Sequence, residues 1–317
     1  MSNSLGHFGA HREGVVGPLV QVLPPDVVLT HADIDAMSAE AHIVGIETAV
    51  FRIEGPGALA CVQGVFTNDV IACPPDALIW GAVLTSKGMI IFDAWVKRDA
   101  DAVWMLIPAV AHAAATTMFA RTFPPRIAKV QDRTGDVAVS WVIGNADHAD
   151  GAKMLRPMGL APFAGLLLGH TGRVETRDAA PAEMTPAWAD AAKLLAGWPT
   201  LGREIDERTL PQEVRFDELG GVRYDKGCYT GQETVARVHF RGHPNRELRG
   251  VQWLDGSRPA DRRITWNEKE VGQFASCGVI NGQWLALAKI RREVDVGTTV
   301  VAGGAHATVV ALPFEGV

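Results

Sequence analysis

The chain has 317 residues, of which 47% are hydrophobic and 21% charged, with a formal net charge of -6 at pH 7. The apolar share excludes a disordered segment and allows two or three domains. The acidic balance argues against a general nucleic-acid binder, which carries a basic footprint, but leaves room for a small anionic ligand in a local Arg/Lys pocket.

Cys61, Cys73, Cys228 and Cys277 are scattered, with no CxxC pair and no Cys/His cluster at metal-ligand spacing. Neither a structural zinc site, a four-cysteine iron–sulfur site nor a disulfide framework is expected, and a reducing, cytoplasmic setting fits best. The N-terminus shows no cationic stretch leading into an apolar one, so no signal peptide is expected. The longest apolar runs, such as Ala109–Ala115, are too short to cross a bilayer.

In chain order, residues 1–30 are rich in Gly and Pro and read as an extended entry segment with room for a strand at Leu19–Leu23. Residues 31–45 read as a short helix capped by Thr30 or Asp33. Ala49–Glu54 reads as a strand. After Gly55-Pro56-Gly57, a helix runs to about Phe66, placing Leu59, Val62, Gln63 and Phe66 on one face.

Three β-rich runs follow at Leu78–Thr85, Met89–Lys97 and Ala102–Pro108, the first two joined by a tight turn at Ser86-Lys87-Gly88. Ala109–Thr122 reads as a helix ended by Pro124-Pro125, and Val137–Ile143 as a strand. Residues 144–187 carry no clear pattern. Trp188–Leu195, Glu204–Glu213 and Gly231–Phe240 read as helices. From Arg246 onward short β runs such as Glu247–Leu254, Trp284–Ile290 and Ala307–Leu312 predict a small antiparallel barrel or sandwich. Mixed element order, with no GxGxxG after a strand and no GxxxxGK[ST], disfavours a doubly wound nucleotide fold. The expected architecture is α+β, with a body over 1–245 and a β domain over 246–317.

The densest chemistry lies in Lys226-Gly-Cys-Tyr-Thr-Gly-Gln-Glu233, which puts an amine, a thiol, a phenol, an amide and a carboxylate within eight residues. Gly227 and Gly231 permit tight turns. A helix starting near Gly231 sets Cys228 and Tyr229 just ahead of free amides that favour a thiolate and attract anions. For an isolated Gly-Cys pair the blander reading, a buried inert thiol, prevails.

The segment is not isolated. With Leu210-Pro-Gln-Glu213 upstream and Ala236-Arg237 downstream, it resembles the signature of the folate-binding YgfZ family. Phe51-Arg-Ile-Glu-Gly-Pro-Gly-Ala-Leu-Ala60, Gln63, Thr67-Asn-Asp-Val70, Thr85-Ser-Lys-Gly88 and Asp93 are similar to blocks of the wider glycine cleavage T-protein (aminomethyltransferase) superfamily. The resemblance covers most of residues 46–317 and is weakest before 46 and across 144–187.

It implies a T-protein-like body of two similar, intertwined α/β subdomains, the second over roughly 50–140, around a central folate pocket. A small C-terminal antiparallel β barrel completes the fold. It further implies tetrahydrofolate as cofactor, Glu213 as the carboxylate gripping the pterin, and Asp93 at the position of the T-protein's catalytic acid. Lys226, Tyr229, Gly231, Gln232 and Arg237 join the folate-binding set, and Cys228 becomes a functional thiol.

Read on their own, a carboxylate suits bidentate recognition of a ring N–H and an amine. Asp93 stands in an apolar strand on the face of Ile91 and Trp95, where a carboxylate is costly without a partner. Arg237 suits either a folate glutamate tail or an ion pair with Glu233 at i,i+4. Asp69 reads as a turn cap, and His239 and His243 as surface residues. The Trp residues, including Trp80, Trp95, Trp104 and Trp141, read as core or pocket walls.

Three functional readings are weighed. The first is a tetrahydrofolate-binding accessory protein for making or repairing iron–sulfur enzymes, partnered by client or assembly proteins and by neither nucleic acid nor membrane. The second is a folate-dependent aminomethyltransferase or demethylase, favoured by Asp93. The third is an interaction module with a vestigial pocket. No metal ligands are assigned, and a lone thiol supplies at most one of the four ligands a cluster usually takes, so a cluster would have to be shared with another protein.

Overall fold

A computed structural model describes residues 28–145, 154–170, 186–253, 256 and 258–314. The strand expected at Leu19–Leu23 lies outside them.

The central element is a six-stranded sheet, ordered β7-β3-β6-β5-β4-β9, whose strands are β3 (Thr48–Glu54), β4 (Ala77–Leu84), β5 (Ile90–Arg98), β6 (Ala102–Pro108), β7 (Lys129–Asp132) and β9 (Arg156–Pro157). Its pairings are antiparallel except for β9, which runs parallel to β4. β4 and β6 read as nearly unbroken apolar runs because both faces of the sheet are covered. One face, with Phe51, Phe92, Val96 and Met105, packs on helices α2 (Ala58–Gln63) and α3 (His112–Thr122). The other, with Trp80, Leu84, Trp95 and Leu106, packs on a second sheet and on α4 (Pro186–Ala196). The second sheet is antiparallel, ordered β10-β8-β2, from β10 (Gly165–His170), β8 (Val137–Gly144) and β2 (Ala41–Gly45).

The chain from Arg246 forms the antiparallel barrel. β11 (Arg246–Trp253), β14 (Gln283–Arg291), β13 (Lys269–Ile280), β12 (Arg263–Trp266), β15 (Thr299–Ala302) and β16 (Ala305–Val310) pair in that order, and β16 returns to β11, so the ring closes with no free edge. The short strand β1 (Val28–Leu29) adds to β13 in parallel.

Two expected helices differ. Residues 31–45 divide into α1 (His31–Ala39) and strand β2, because the alternating Ala41–Gly45 run finds a ladder on β8. Thr30 and Asp33 do form the N-cap, as a reciprocal capping box. Glu204–Glu213 is no helix. It holds an isolated bridge between Leu201 and Ile205, a turn in which Asp206 bonds Thr209, and a 3-10 turn at Pro211–Val214. Pro211 removes the amide that a continuous helix needs there.

The expected helix at 109–122 begins as a 3-10 turn, Ala109–Ala111, before α3. No helix among the described residues is long and apolar enough to span a membrane.

Candidate functional site

The motif segment is fixed by the first half of the chain. The Lys226 ammonium donates to the main-chain oxygens of Gln63 (2.7 Å), Phe66 (2.5 Å) and Asn68 (3.0 Å) and lies 5.0 Å from the Tyr229 ring centre. All three of its protons are thereby used. Burial lowers its pKa to about 8, so it is still charged at neutral pH.

Neighbouring bonds tighten the same seam. Thr67 Oγ1 donates to Gly221 O at 2.6 Å, the Asn68 amide donates to Trp80 O and Gly220 O, and Thr230 N donates to Gly64 O. The blocks separated in sequence, Gln63–Asp69 and Gly220–Thr230, are thus one structural unit. Asp69 accepts from Ile71 N and Ala72 N, the turn cap expected of it.

A third block joins at the start of α5 (Gln232–Arg241). Its cap, Gly231, has φ 84°, and a Cβ there would lie 2.5 Å from Thr85 O. Opposite it, Gly88 has φ 83°, and a Cβ there would meet Thr234 Cβ at 2.9 Å. Only glycines let the Thr85–Gly88 turn and the helix start approach this closely. Gln232 Oε1 accepts from Tyr229 N at 3.3 Å, folding the loop onto the helix.

Cys228 is exposed on this pinned loop, between buried Lys226 and buried Tyr229. Tyr229 is buried, its hydroxyl has no partner among the described residues, and burial raises its pKa. Arg237 and Glu233 are both exposed and form no ion pair with each other among the described residues, so the i,i+4 pair expected from spacing is absent.

Asp93 lies elsewhere, in a cavity of about 100 Å³ between the two sheets and α4. Trp95, Trp141 and Trp198 stand among its walls, with Thr200 and Lys193. Asp93 as a whole is 7% exposed. Its Oδ2 accepts from Trp80 Nε1 at 3.0 Å, while its Oδ1 is buried without a partner among the described residues. Burial raises its pKa. Asp93 shares its face with Trp95, as alternation predicts, but Ile91 packs into the opposite core. The ladder to β4 shifts register there, pairing Val83 with Phe92 and Leu84 with Ile90, so Ile91 is the bulged residue.

Glu213 is not in that cavity, and neither are Lys226, Cys228, Tyr229, Gly231, Gln232 and Arg237. Glu213 sits half-buried in the Pro211–Val214 turn, its Oε2 accepting from Leu210 N at 3.0 Å. The structure therefore separates two clusters, the motif loop with Cys228 and the aromatic cavity with Asp93. A larger, open cleft of about 700 Å³ lies away from both, beside Gly55, Arg98 and Arg126.

Two groupings escape the sequence reading. Lys193 enters the Asp93 cavity, and its only prior signal is a cation at the helical spacing of Ala189, Ala192 and Ala196. His239 is a surface residue with firm contacts. It stacks on Tyr224 with ring centres 3.8 Å apart and pairs with Asp217 at 2.9 Å, while Tyr224 OH donates to Asp217 Oδ1 at 2.5 Å. These residues carry no local motif, so only the fold brings them together.

The fold defines the class. The chain superposes on the glycine cleavage system aminomethyltransferase T of Bartonella henselae with a TM-score of 0.75, covering 87% of each chain at 16% sequence identity. It thus has the T-protein fold.

Its sequence relatives are narrower. The chain is 24% identical over 273 residues to "tRNA-modifying protein YgfZ" of Aliivibrio fischeri, a match covering 79% of this chain and 85% of that protein. It is 26% identical to the protein of that name in Vibrio atlanticus, over 78% of this chain and 77% of the relative. The Yersinia enterocolitica protein of that name is also 26% identical, over 66% and 69%. No family model matches the chain. The chain is a homologue of these YgfZ proteins and shares the fold of the glycine cleavage T-protein.

Proposed function

We propose that this protein binds tetrahydrofolate or a folate derivative and serves the biogenesis or repair of iron–sulfur enzymes through Cys228. The observation that carries the reading is the exposed Cys228 thiol on a loop whose neighbours are held on both sides: Lys226 by three carbonyls, Thr230 by Gly64. A thiol presented this way is preorganised to meet a partner protein, because little loop entropy is lost on contact.

Folate enters on the Asp93 cavity. Planar aromatic walls, a buried carboxylate oxygen without a partner and a partly exposed lysine suit one edge of a flat, polar heterocycle. Asp93 and Lys193 hold that edge. Glu213, with one oxygen committed to Leu210 N, offers its other oxygen to the ligand, and the exposed Arg237 is suited to an anionic tail. Tyr229, Gly231 and Gln232 shape the loop that carries Cys228. A reduced folate supplies one-carbon chemistry when bound.

The names of the relatives support a second reading, a part in tRNA modification. An accessory protein for an iron–sulfur enzyme that acts on tRNA satisfies both. A direct aminomethyltransferase or demethylase activity is the alternative that Asp93 favours.

The test is complementation of a strain lacking this protein, scored by iron–sulfur enzyme activity. Cys228→Ser is expected to leave the defect uncorrected at wild-type protein levels. Full rescue by Cys228→Ser sinks the role assigned to the thiol.

A further inference from the structure

The end of α5 away from the motif loop carries charged and aromatic surface. Arg237, Phe240 and Arg241 stand three and four residues apart and so share one face of the helix. All three are exposed, Phe240 to 67%. Neither arginine forms an ion pair among the described residues.

The Phe240 ring is firmly placed. It meets the rings of Tyr224 (5.5 Å, 71°) and His239 (4.7 Å, 89°), which stack on each other. Both of those are tied to Asp217, and the Gln212 amide donates to the Tyr224 hydroxyl at 3.0 Å. A large apolar ring is thus held out to solvent on a built support. Little freedom is lost when a second flat group stacks on it.

The adjoining barrel strands extend the charge. The end of α5 and the start of β11 line one cleft of about 240 Å³, and Arg292 N donates to Asn245 O at 3.1 Å. In the ladder of β11 on β14, Arg246 stands directly opposite Arg291, and both are exposed. Like charges so placed cost stability. Arg246 has no ion pair among the described residues, and Arg291 reaches only Glu293, at 3.4 Å. Nearby acids are already engaged, Asp217 with His239 and Glu247 with Arg249. A chain of net charge -6 therefore gathers unpaired cations at one place, an arrangement that a polyanion relieves.

We propose that this surface binds single-stranded nucleic acid, with Phe240 as the platform for an unpaired base and Arg237, Arg241, Arg246 and Arg291 as contacts to the flanking phosphates. A ring set among cations matches a strand in which bases and phosphates alternate. An acidic peptide offers the charge without the flat partner, and a duplex keeps its bases stacked inside. The site lies beyond the folate reading and does not depend on it.

The probe is a short fluorescein-labelled single-stranded RNA, titrated with the full-length protein and read by anisotropy over a series of salt concentrations. The same RNA as a duplex and a polyglutamate peptide run alongside. The single strand is expected to bind more tightly than either. Phe240→Ala is expected to weaken that binding about tenfold, the effect of one lost base stack, while leaving its salt dependence unchanged. Phe240→Trp is expected to retain it. Arg241→Gln and Arg246→Gln are each expected to reduce the slope of log affinity against log salt by about 0.7. Circular dichroism confirms that each variant is folded.

No binding of the single strand at low salt overturns the proposal. So does equal or tighter binding of the duplex or the peptide, undiminished affinity in folded Phe240→Ala, or an unaltered salt slope in both arginine variants.

Discussion

Asp93, the carboxylate proposed to meet the ligand, is held at a cost to the stability of the fold. Burial in the aromatic cavity raises its pKa above the ordinary 3.8 while one oxygen goes without a hydrogen bond. A carboxylate with a raised folded-state pKa holds its proton more tightly in the folded chain than in the unfolded one. Its contribution to stability is therefore full below 3.8 and is lost as the pH rises through the folded-state value. Asp93→Asn removes that loss. Denaturation of the ligand-free protein from pH 4 to 8 is expected to find the variant more stable at neutral pH, with the gap closing toward acid. A variant less stable throughout contradicts the idea that Asp93 is held ready for a ligand. Residues placed for function commonly carry such a cost.

At the scale of elements, the site depends on three loops meeting without room to spare. Gly231 adopts a left-handed conformation, and an added Cβ would lie 2.5 Å from Thr85 O. Gly231→Ala is expected to cost about 2–4 kcal/mol, combining left-handed backbone strain with a clash against main chain. A denaturant series checks this, and a loss within about 0.5 kcal/mol, the range of an indifferent surface change, sinks it.

The same elements show what the sequence revealed. Strands β3 to β6 of the central sheet, β11, β14 and β16 of the barrel, α3 and the Lys226–Glu233 segment were legible, because alternation, proline stops and an unusual run of polar types are local signals. The division of 31–45 was not, since Ala41–Gly45 becomes a strand only by pairing with β8. Nor was the use of Lys226, whose partners lie about 160 residues away in the chain. The i,i+4 spacing of Glu233 and Arg237 misled, because exposed pairs gain little and give way to hydration. Lys193 was hidden by the Ala- and Leu-rich helix that carries it.

At the scale of the molecule, body and barrel share one core. Leu248, Leu285 and Leu287 of the barrel cluster with Trp80, Trp95 and Trp198 of the body. Across this join Glu204, 1% exposed, accepts from Thr200 N at 3.0 Å and Ser276 N at 2.8 Å. Arg215 adds bonds to Ala196 O, Gly197 O and Leu312 O. Glu204→Ala leaves the buried Ser276 amide and the partly buried Thr200 amide without acceptors and is expected to cost about 2–4 kcal/mol. Calorimetric scans are expected to show one transition for the unchanged protein. Two well-separated transitions contradict a shared core, and a neutral Glu204→Ala contradicts the bridge.

The function proposed for this protein turns on whether the aromatic cavity at the heart of the fold binds a reduced folate through Asp93. Isothermal titration of tetrahydrofolate into the full-length protein, with Asp93→Ala alongside, tests it most directly. Saturable binding is expected for the unchanged protein, weakened at least about tenfold in the variant, the change that follows when a buried charge-assisted bond is lost. Absence of binding, or equal binding by the two proteins, contradicts it.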